Sequence, residues 1–407
     1  MSKNGKKPFG GASRREVLQG AGAVGVAGAI NMPFVWRAGA QGSPIKIGVL
    51  APLSGPFSSL GSHKVEGIKL FFEGSGMKAG GRPVQLLVED TEGKPQEGLR
   101  QARKLVESDQ ADLLLGVLSS AVGAAIKEYS GRAKKVWVTT GAAADAIFKK
   151  KNKHPYAFRA SLSTWQGNNP MGTWLASQNV KRVLLTGPDY SMGQEALNAF
   201  RGSFEVGGPK IEAQVMAPLD TTDFAPFLAE IKRKEPEMVY ASYPGALAVR
   251  FVQQYAAFGL ANSIPLTGYG YICDEDVIEA TGTATKGIRS GLNWAYGIDT
   301  PENKDFVDRY RKAYKNAVPT VDSVAGYVGA QVVHAAVETL RGDTSNQERL
   351  AEAVGKVKIN TPRGPISFDP ETNNVIQTIY IRDVGEIDGA LHNKVIATYK
   401  DVRDPGD

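Results

Sequence analysis

From residue 45 to residue 267 the chain alternates short apolar runs with stretches of helical period, and it does so twice over. Runs at 45–50, 84–88, 113–118 and 136–138 read as strands, with helices from about residue 61 and over 95–108, the latter opened by Pro95. The alternation restarts with strands at 182–186, 211–217, 238–242 and 264–267, separated by helices at 194–206, 224–234 and 246–258. A helix between two strands carries the chain back to the same edge, so the strands run parallel and both faces of the sheet are covered. Two successive α/β series predict two sheets in two lobes, each a mainly parallel sheet flanked by helices.

The C-terminal third does not repeat the pattern a third time. Residues 287–294 are strand-like, and helices follow at 303–315, 321–340 and 347–354. The second of these carries Ala325, Gly326, Gly329, Ala330, Ala335 and Ala336, small residues that permit close packing. A hairpin at 364–369 and 375–381 and a last strand at 395–399 come next. Helices suited to the first lobe followed by strands suited to the second mean that the chain crosses back and forth, near 160–164, 288–296 and 358–364. The expected lobes are 44–160 plus 292–358, and 164–288 plus 362–400. A length of 407 residues with 42% apolar content supplies a core for each.

The formal net charge of +6 is misleading, because six of the 48 Lys and Arg residues and one of the 42 acids lie in residues 1–40. The rest holds 42 basic and 41 acidic residues, so the electrostatic case for a nucleic-acid partner disappears. Residues 1–40 read as an export signal. Ser13-Arg14-Arg15-Glu16-Val17-Leu18 is followed by a Gly/Ala-rich apolar run at 20–35 and by Ala38-Gly39-Ala40, an A-x-A cleavage site. The paired arginines resemble the twin-arginine signal, with Val17 where that motif most often has Phe. Gly20-Ala21-Gly22-Ala23-Val24-Gly25 matches a dinucleotide loop in letters only, since no strand precedes it. The expectation is a soluble periplasmic protein cleaved near Ala40. The lone Cys273 excludes an intrachain disulfide and reads as a small buried hydrophobe. His63, His154, His334 and His392 form no H-x-x-x-H pair, and no G-x-S-x-G elbow or P-loop occurs. No metal, cofactor or catalytic residue is expected, and the chain reads as a non-enzyme.

Two adjacent strands carry the candidate site. The run at 113–118 stops at Ser119, Ser120 and Gly123, and the run at 136–138 stops at Thr139, Thr140 and Gly141. In an open parallel sheet, ligands bind at the carboxyl ends of strands, where free backbone N–H groups point outward. Two such ends side by side make an anion-binding shelf. Taken alone, Ser119, Ser120, Thr139 and Thr140 equally suit ordinary helix caps.

With Ile47-Gly48-Val49-Leu50-Ala51-Pro52-Leu53-Ser54-Gly55-Pro56 at its start, then Leu115-Gly116-Val117-Leu118-Ser119-Ser120, Asp189-Tyr190-Ser191-Met192-Gly193, Asp223-Phe224 and Gly326-Tyr327, the chain resembles the type I periplasmic solute-binding proteins of ABC transporters. Within them it is similar to the branched-chain amino-acid receptor family. The resemblance implies a hinged two-lobed clamp that closes on a small solute and docks, as a monomer, on the transmembrane permease subunits. It also implies that a ligand carboxylate is held at Ser119, Ser120 and the 139–143 loop; Ser54 of the start motif is a further ligand-binding candidate. An α-amino group is commonly held in that family by a hydroxyl in the second loop and an acid from the second lobe. Here Ala142, Ala143 and Ala144 stand where a Thr is expected, and Tyr269-Gly270-Tyr271 occupies the acid's segment. Without an acid from Asp189, Asp274 or Glu275, a buried ammonium stays unpaired at a cost of several kcal/mol. Tyr190, Tyr243, Tyr269 and Tyr271 near strand ends, and Trp165 after a crossing, suit a flat apolar ligand body. The expected solute is an organic acid, aromatic acids included, ahead of an amino acid. The competing readings are a sensor that passes the same closure to a membrane receptor, and an exported enzyme.

Overall fold

The structure is a computed structural model that describes residues 42–407. The expected export signal and its cleavage site lie outside the described residues. The first sheet consists of β1 (Ile45–Ala51), β2 (Lys78–Ala79), β3 (Arg82–Asp90), β4 (Leu113–Gly116), β5 (Trp137–Thr139) and β6 (Ala157–Arg159), in the order β2-β3-β1-β4-β5-β6. All its neighbours pair parallel except the short β2. The second sheet holds β7 (Arg182–Pro188), β8 (Lys210–Ala217), β9 (Met238–Ala241), β10 (Leu266–Tyr269), β11 (Arg289–Leu292), β12 (Ile359–Thr361), β13 (Gly364–Phe368), β14 (Val375–Ile387) and β15 (Ala390–Val402). Strands β7 to β11 are parallel, and β14 joins β11 antiparallel with β15 beyond it.

The helices are α1 (Ser58–Gly74), α2 (Pro95–Arg103), α3 (Ser120–Ala133), α4 (Thr164–Ala176), α5 (Ser191–Phe204), α6 (Ala225–Lys234), α7 (Gly245–Ala257), α8 (Glu275–Thr281), α9 (Pro301–Ala313), α10 (Val321–Thr339) and α11 (Gln347–Gly355). As expected from the change of chemistry after residue 358, α10 lies against α1 and the first sheet, while the last four strands extend the second sheet. The small residues of α10 set this contact. A Cβ on Gly326 would stand 2.0 Å from the Lys64 carbonyl oxygen, so only glycine lets the two helices approach this closely. Lys64 in α1 pairs with Asp322 in α10 at 2.8 Å, fully buried, and also donates to the Thr140 carbonyl at 2.8 Å.

Three parts of the chain behave differently from their sequence reading. Residues 157–159, given no strand in the sequence reading and lying just ahead of the first crossing, form the edge strand β6 on β5. Helix α4 interrupts what reads as a loop; its Asn168-Asn169-Pro170 run hides it, but Ser163 and Gln166 close a reciprocal capping box at its start. Helix α8 begins at Glu275, in a segment read only for its acids. Gln377 of β14 donates to the Ser161 carbonyl (3.0 Å) and to Gln166 Oε1 (2.9 Å), which ties the first passage between the sheets to the last strands. Cys273 is buried, and burial holds its thiol up to about 11, in keeping with an inert packing residue.

Candidate functional site

The first wall of the site is built by strained backbone. At the end of β4, Gly116 has φ 113° and Val117 φ 69°, a left-handed conformation that a β-branched residue adopts only under constraint. The constraint includes the Val117 N–H, which donates to the Leu50 carbonyl at 2.7 Å. This kink lifts Leu118 and Ser119 out of the sheet and starts the 14-residue α3. Ser119 caps it with a long contact from the Val122 N–H (3.5 Å), while the first-turn N–H groups of Ser120 and Ala121 have no intrahelical acceptor. Together with the aligned peptide dipoles they form a positive end without a charged side chain.

The neighbouring loop is fastened to this end. Thr139 Oγ1 accepts from the Gly141 and Ala142 N–H groups (3.3 and 3.1 Å), and Ser120 Oγ accepts from the Ala144 N–H at 3.0 Å. Because the Ser120 oxygen is already an acceptor, its O–H proton is left to donate elsewhere.

The second wall comes from the other sheet. Tyr269 ends β10, Tyr190 precedes α5 and Pro244 precedes α7, so three helices from two lobes begin around one space. Neither Tyr190 nor Pro244 caps its helix through a side chain. Buried Arg382 holds the Tyr269-Gly270-Tyr271 segment by donating to the Gly270 carbonyl (2.6 Å), the Trp294 carbonyl (3.0 Å) and Ser290 Oγ (3.1 Å). Between the walls lies a cavity of about 260 Å³. Phe57, Leu60, Leu118 and Ala143 give it apolar lining from one side, and Met192, Leu219 and the tyrosines from the other. No lining residue is charged. Burial pushes the Tyr190 phenol up to about 12 and those of Tyr269 and Tyr271 higher still, so all three are neutral hydroxyls at any physiological pH.

Of the residues singled out in the sequence, Ser119, Ser120, Tyr190, Tyr269 and Tyr271 line this cavity. The others do not. Ser54 is exposed on the loop after β1 and bonds Asp90. Thr139 is buried beneath the loop that it ties, and Ala142 is buried against Gly123. Thr140 turns its methyl toward Gly329 of α10. Trp165 lies in the first turn of α4, outside the cavity lining, and its backbone N–H donates to Asp145 Oδ1 at 3.0 Å. Tyr243 is a core residue, its hydroxyl 2.7 Å from Thr186 Oγ1 and its ring against Phe224 and Phe251. A strand end fixes how far along the sheet a residue stands, but not the direction of a side chain beyond the last paired residue. Sequence reasoning missed Phe57, Leu60, Met192, Leu219 and Pro244. Met192 was within reach, since it belongs to the Asp189–Gly193 motif already noted.

Next to the Ala143 loop lies a group of charged side chains, Arg159 fully buried and Asp145 and Glu195 half-buried. The Asp145 N–H donates to Glu195 Oε2 of α5 (3.2 Å), and Arg159 donates to the Ala144 carbonyl while lying 4.6 Å over the Phe148 ring. Burial, then the nearby Asp404, push the Asp145 carboxyl up to about 7.

A periplasmic binding protein family model matches residues 44–389. The chain belongs to that family. Its two-sheet architecture is the type I form, of the branched-chain amino-acid receptor branch. The Leu/Ile/Val-binding protein homolog 6 of Brucella melitensis is 32% identical over 367 residues, covering 89% of this chain and 93% of the relative. Among solved structures, an ABC transporter substrate-binding protein from Sphaerobacter thermophilus superposes with a TM-score of 0.86 at 33% identity, over 90% of this chain and 100% of that one. A solute-binding protein of an ABC transporter from Rhodopseudomonas palustris BisB5, in complex with 3,4-dihydroxybenzoic acid, gives 0.84 at 30% identity, over 89% and 99%. No helix among the described residues is long and apolar enough to cross a membrane, and no group of three or more His, Cys, Asp or Glu among them could hold a metal ion.

Proposed function

We propose that this protein is the extracytoplasmic substrate-binding receptor of an ABC importer, which clamps an aromatic carboxylate between two lobes and presents it to the permease. The lobes are residues 44–160 with 292–358, and 164–288 with 362–400, and residues 1–40 direct export to the periplasm. The observation that carries the reading is an uncharged cavity with the N-terminus of α3 on one wall and three tyrosines on the other. A carboxylate finds N–H and O–H donors there, and a flat ring finds Phe57, Leu60, Leu118 and Met192. An α-ammonium finds no counter-charge among the lining residues, which disfavours amino acids by several kcal/mol. The ligand of the R. palustris relative has the chemistry that this cavity suits.

The test is a thermal-shift screen of the purified protein, stripped of carried-over ligand, against benzoate, 3,4-dihydroxybenzoate, aliphatic acids and L-leucine. A ligand at a hundred times its dissociation constant adds roughly 2.7 kcal/mol of stability, which such a screen resolves. Shifts with the aromatic acids support the reading; a shift with L-leucine alone overturns it.

A further inference from the structure

We propose that Asp274 is a positioning residue of the clamp: its carboxyl, on the segment that continues the tyrosine wall, holds the first N–H of α10 on the opposite side and so sets solute affinity without touching the solute. The inference rests on the clamp reading above, not on which acid fills the cavity. Asp274 stands at the N-cap position of α8 with extended backbone, the place from which an aspartate ordinarily bonds the N–H groups of its own helix. It makes no such bond. Oδ2 instead accepts from the Val321 N–H of α10 at 3.0 Å, the one hydrogen bond of this carboxyl among the described residues, while Oδ1 lies 3.5 Å from Arg382 Nη1 and accepts none. Asp274 and Val321 are each 2% exposed.

The bond joins two parts of the molecule. Asp274 follows β10 of the second sheet, whereas α10 packs on α1 and against the first. Thr320 and Ser323 close a capping box at the start of α10, and the Val321 N–H is a first-turn donor that this box leaves over. The contact is also tied to the cavity. Tyr269 and Tyr271, which line it, precede Asp274 on the same segment, and Arg382 fastens that segment at the Gly270 carbonyl (2.6 Å). Val321 packs with Leu162, Tyr269 and Leu292, so the first turn of α10 backs the tyrosine wall. Neither Asp274 nor Val321 lines the cavity. A bond made when the two walls meet, and exchanged for water when they part, favours the closed arrangement and with it any solute that the closed arrangement holds.

The experiment uses position 321, because proline deletes the N–H yet suits the first position of a helix. Thr320 before it already has the extended backbone that a following proline requires (φ −108°, ψ 172°). Val321→Pro is compared with Val321→Ala, which trims the side chain and keeps the N–H, and with wild type. Each is titrated calorimetrically with 3,4-dihydroxybenzoate and with L-leucine, and its thermal midpoint is measured without ligand. For whichever solute the wild type binds, Val321→Pro is expected to bind about 10-fold more weakly than Val321→Ala, the weight of one buried hydrogen bond. Equal affinities in the two variants overturn the inference, and a lower ligand-free midpoint of Val321→Pro alongside them assigns the bond to the fold alone. If the wild type binds L-leucine only, the aromatic-acid reading falls and the leucine titration decides the inference; binding of neither solute overturns both.

Discussion

Burial opposes ionisation of Asp145, Asp404 and Glu195 add to the opposition, and the Trp165 N–H and Arg159 only partly offset it, so the carboxyl titrates at about 7. In the unfolded chain an aspartate releases its proton near 4. Between those values the folded protein holds a proton that the unfolded chain has lost, so this residue lowers stability as pH rises from about 4 to about 7, with no further change above. Asp145→Asn keeps an acceptor for the Trp165 N–H and removes the titration. It is expected to be more stable than wild type at pH 8, by on the order of a few kcal/mol, and to differ much less near pH 4. Urea unfolding at the two pH values checks this, and a stability difference independent of pH would contradict it. The residue scale was only partly legible in the sequence. Ser119 and Ser120 follow directly from the strand that ends beside them, whereas Tyr243 reads like Tyr269 and packs into the opposite environment.

At the scale of elements, the contact between α1 and α10 holds the first lobe's helical face. Lys64 and Asp322 are buried together there, with Lys64 also on the Thr140 carbonyl beneath the shelf loop. Asp322→Ala strands a buried ammonium and is expected to cost roughly 3–5 kcal/mol; adding Lys64→Met should recover most of that loss. Denaturant midpoints of the single and double variants measure it, and a single variant as stable as wild type would show that the pair is dispensable. Gly326→Ala gives a second check on the same interface. Alanine at an exposed helical position gains about 1 kcal/mol over glycine, but here its Cβ meets the Lys64 carbonyl oxygen at 2.0 Å, so a net loss of stability is expected. The small-residue stripe of α10 was plain in the sequence, and its partner helix was not. Helix α4 was missed because its polar Asn-Asn-Pro stretch carries no helical period, although the capping box at Ser163 marks its start.

For the whole molecule, the chain passes between the sheets after β6, after β11 and before β12. Connections of this number, close together and tied by Gln166 and Gln377, suit rotation of one lobe against the other. A ligand that touches both walls favours the closed arrangement by its differential affinity. Small-angle scattering with and without saturating 3,4-dihydroxybenzoate is expected to show a smaller radius of gyration in the bound protein, and an identical radius would argue against a hinge.

The two alternating series of strands and helices, the three crossings and the placing of Ser119 and Ser120 at a strand end were legible in the sequence alone, because alternation, helical period and turn residues act over a few neighbours. What only the tertiary structure decided is which way side chains face once a strand has ended, and which distant partners meet. Lys64 finds Asp322 258 positions away, and Arg382 holds a carbonyl 112 positions earlier. Such pairings follow from how two sheets and their helices pack against each other, and no local pattern in the chain encodes them.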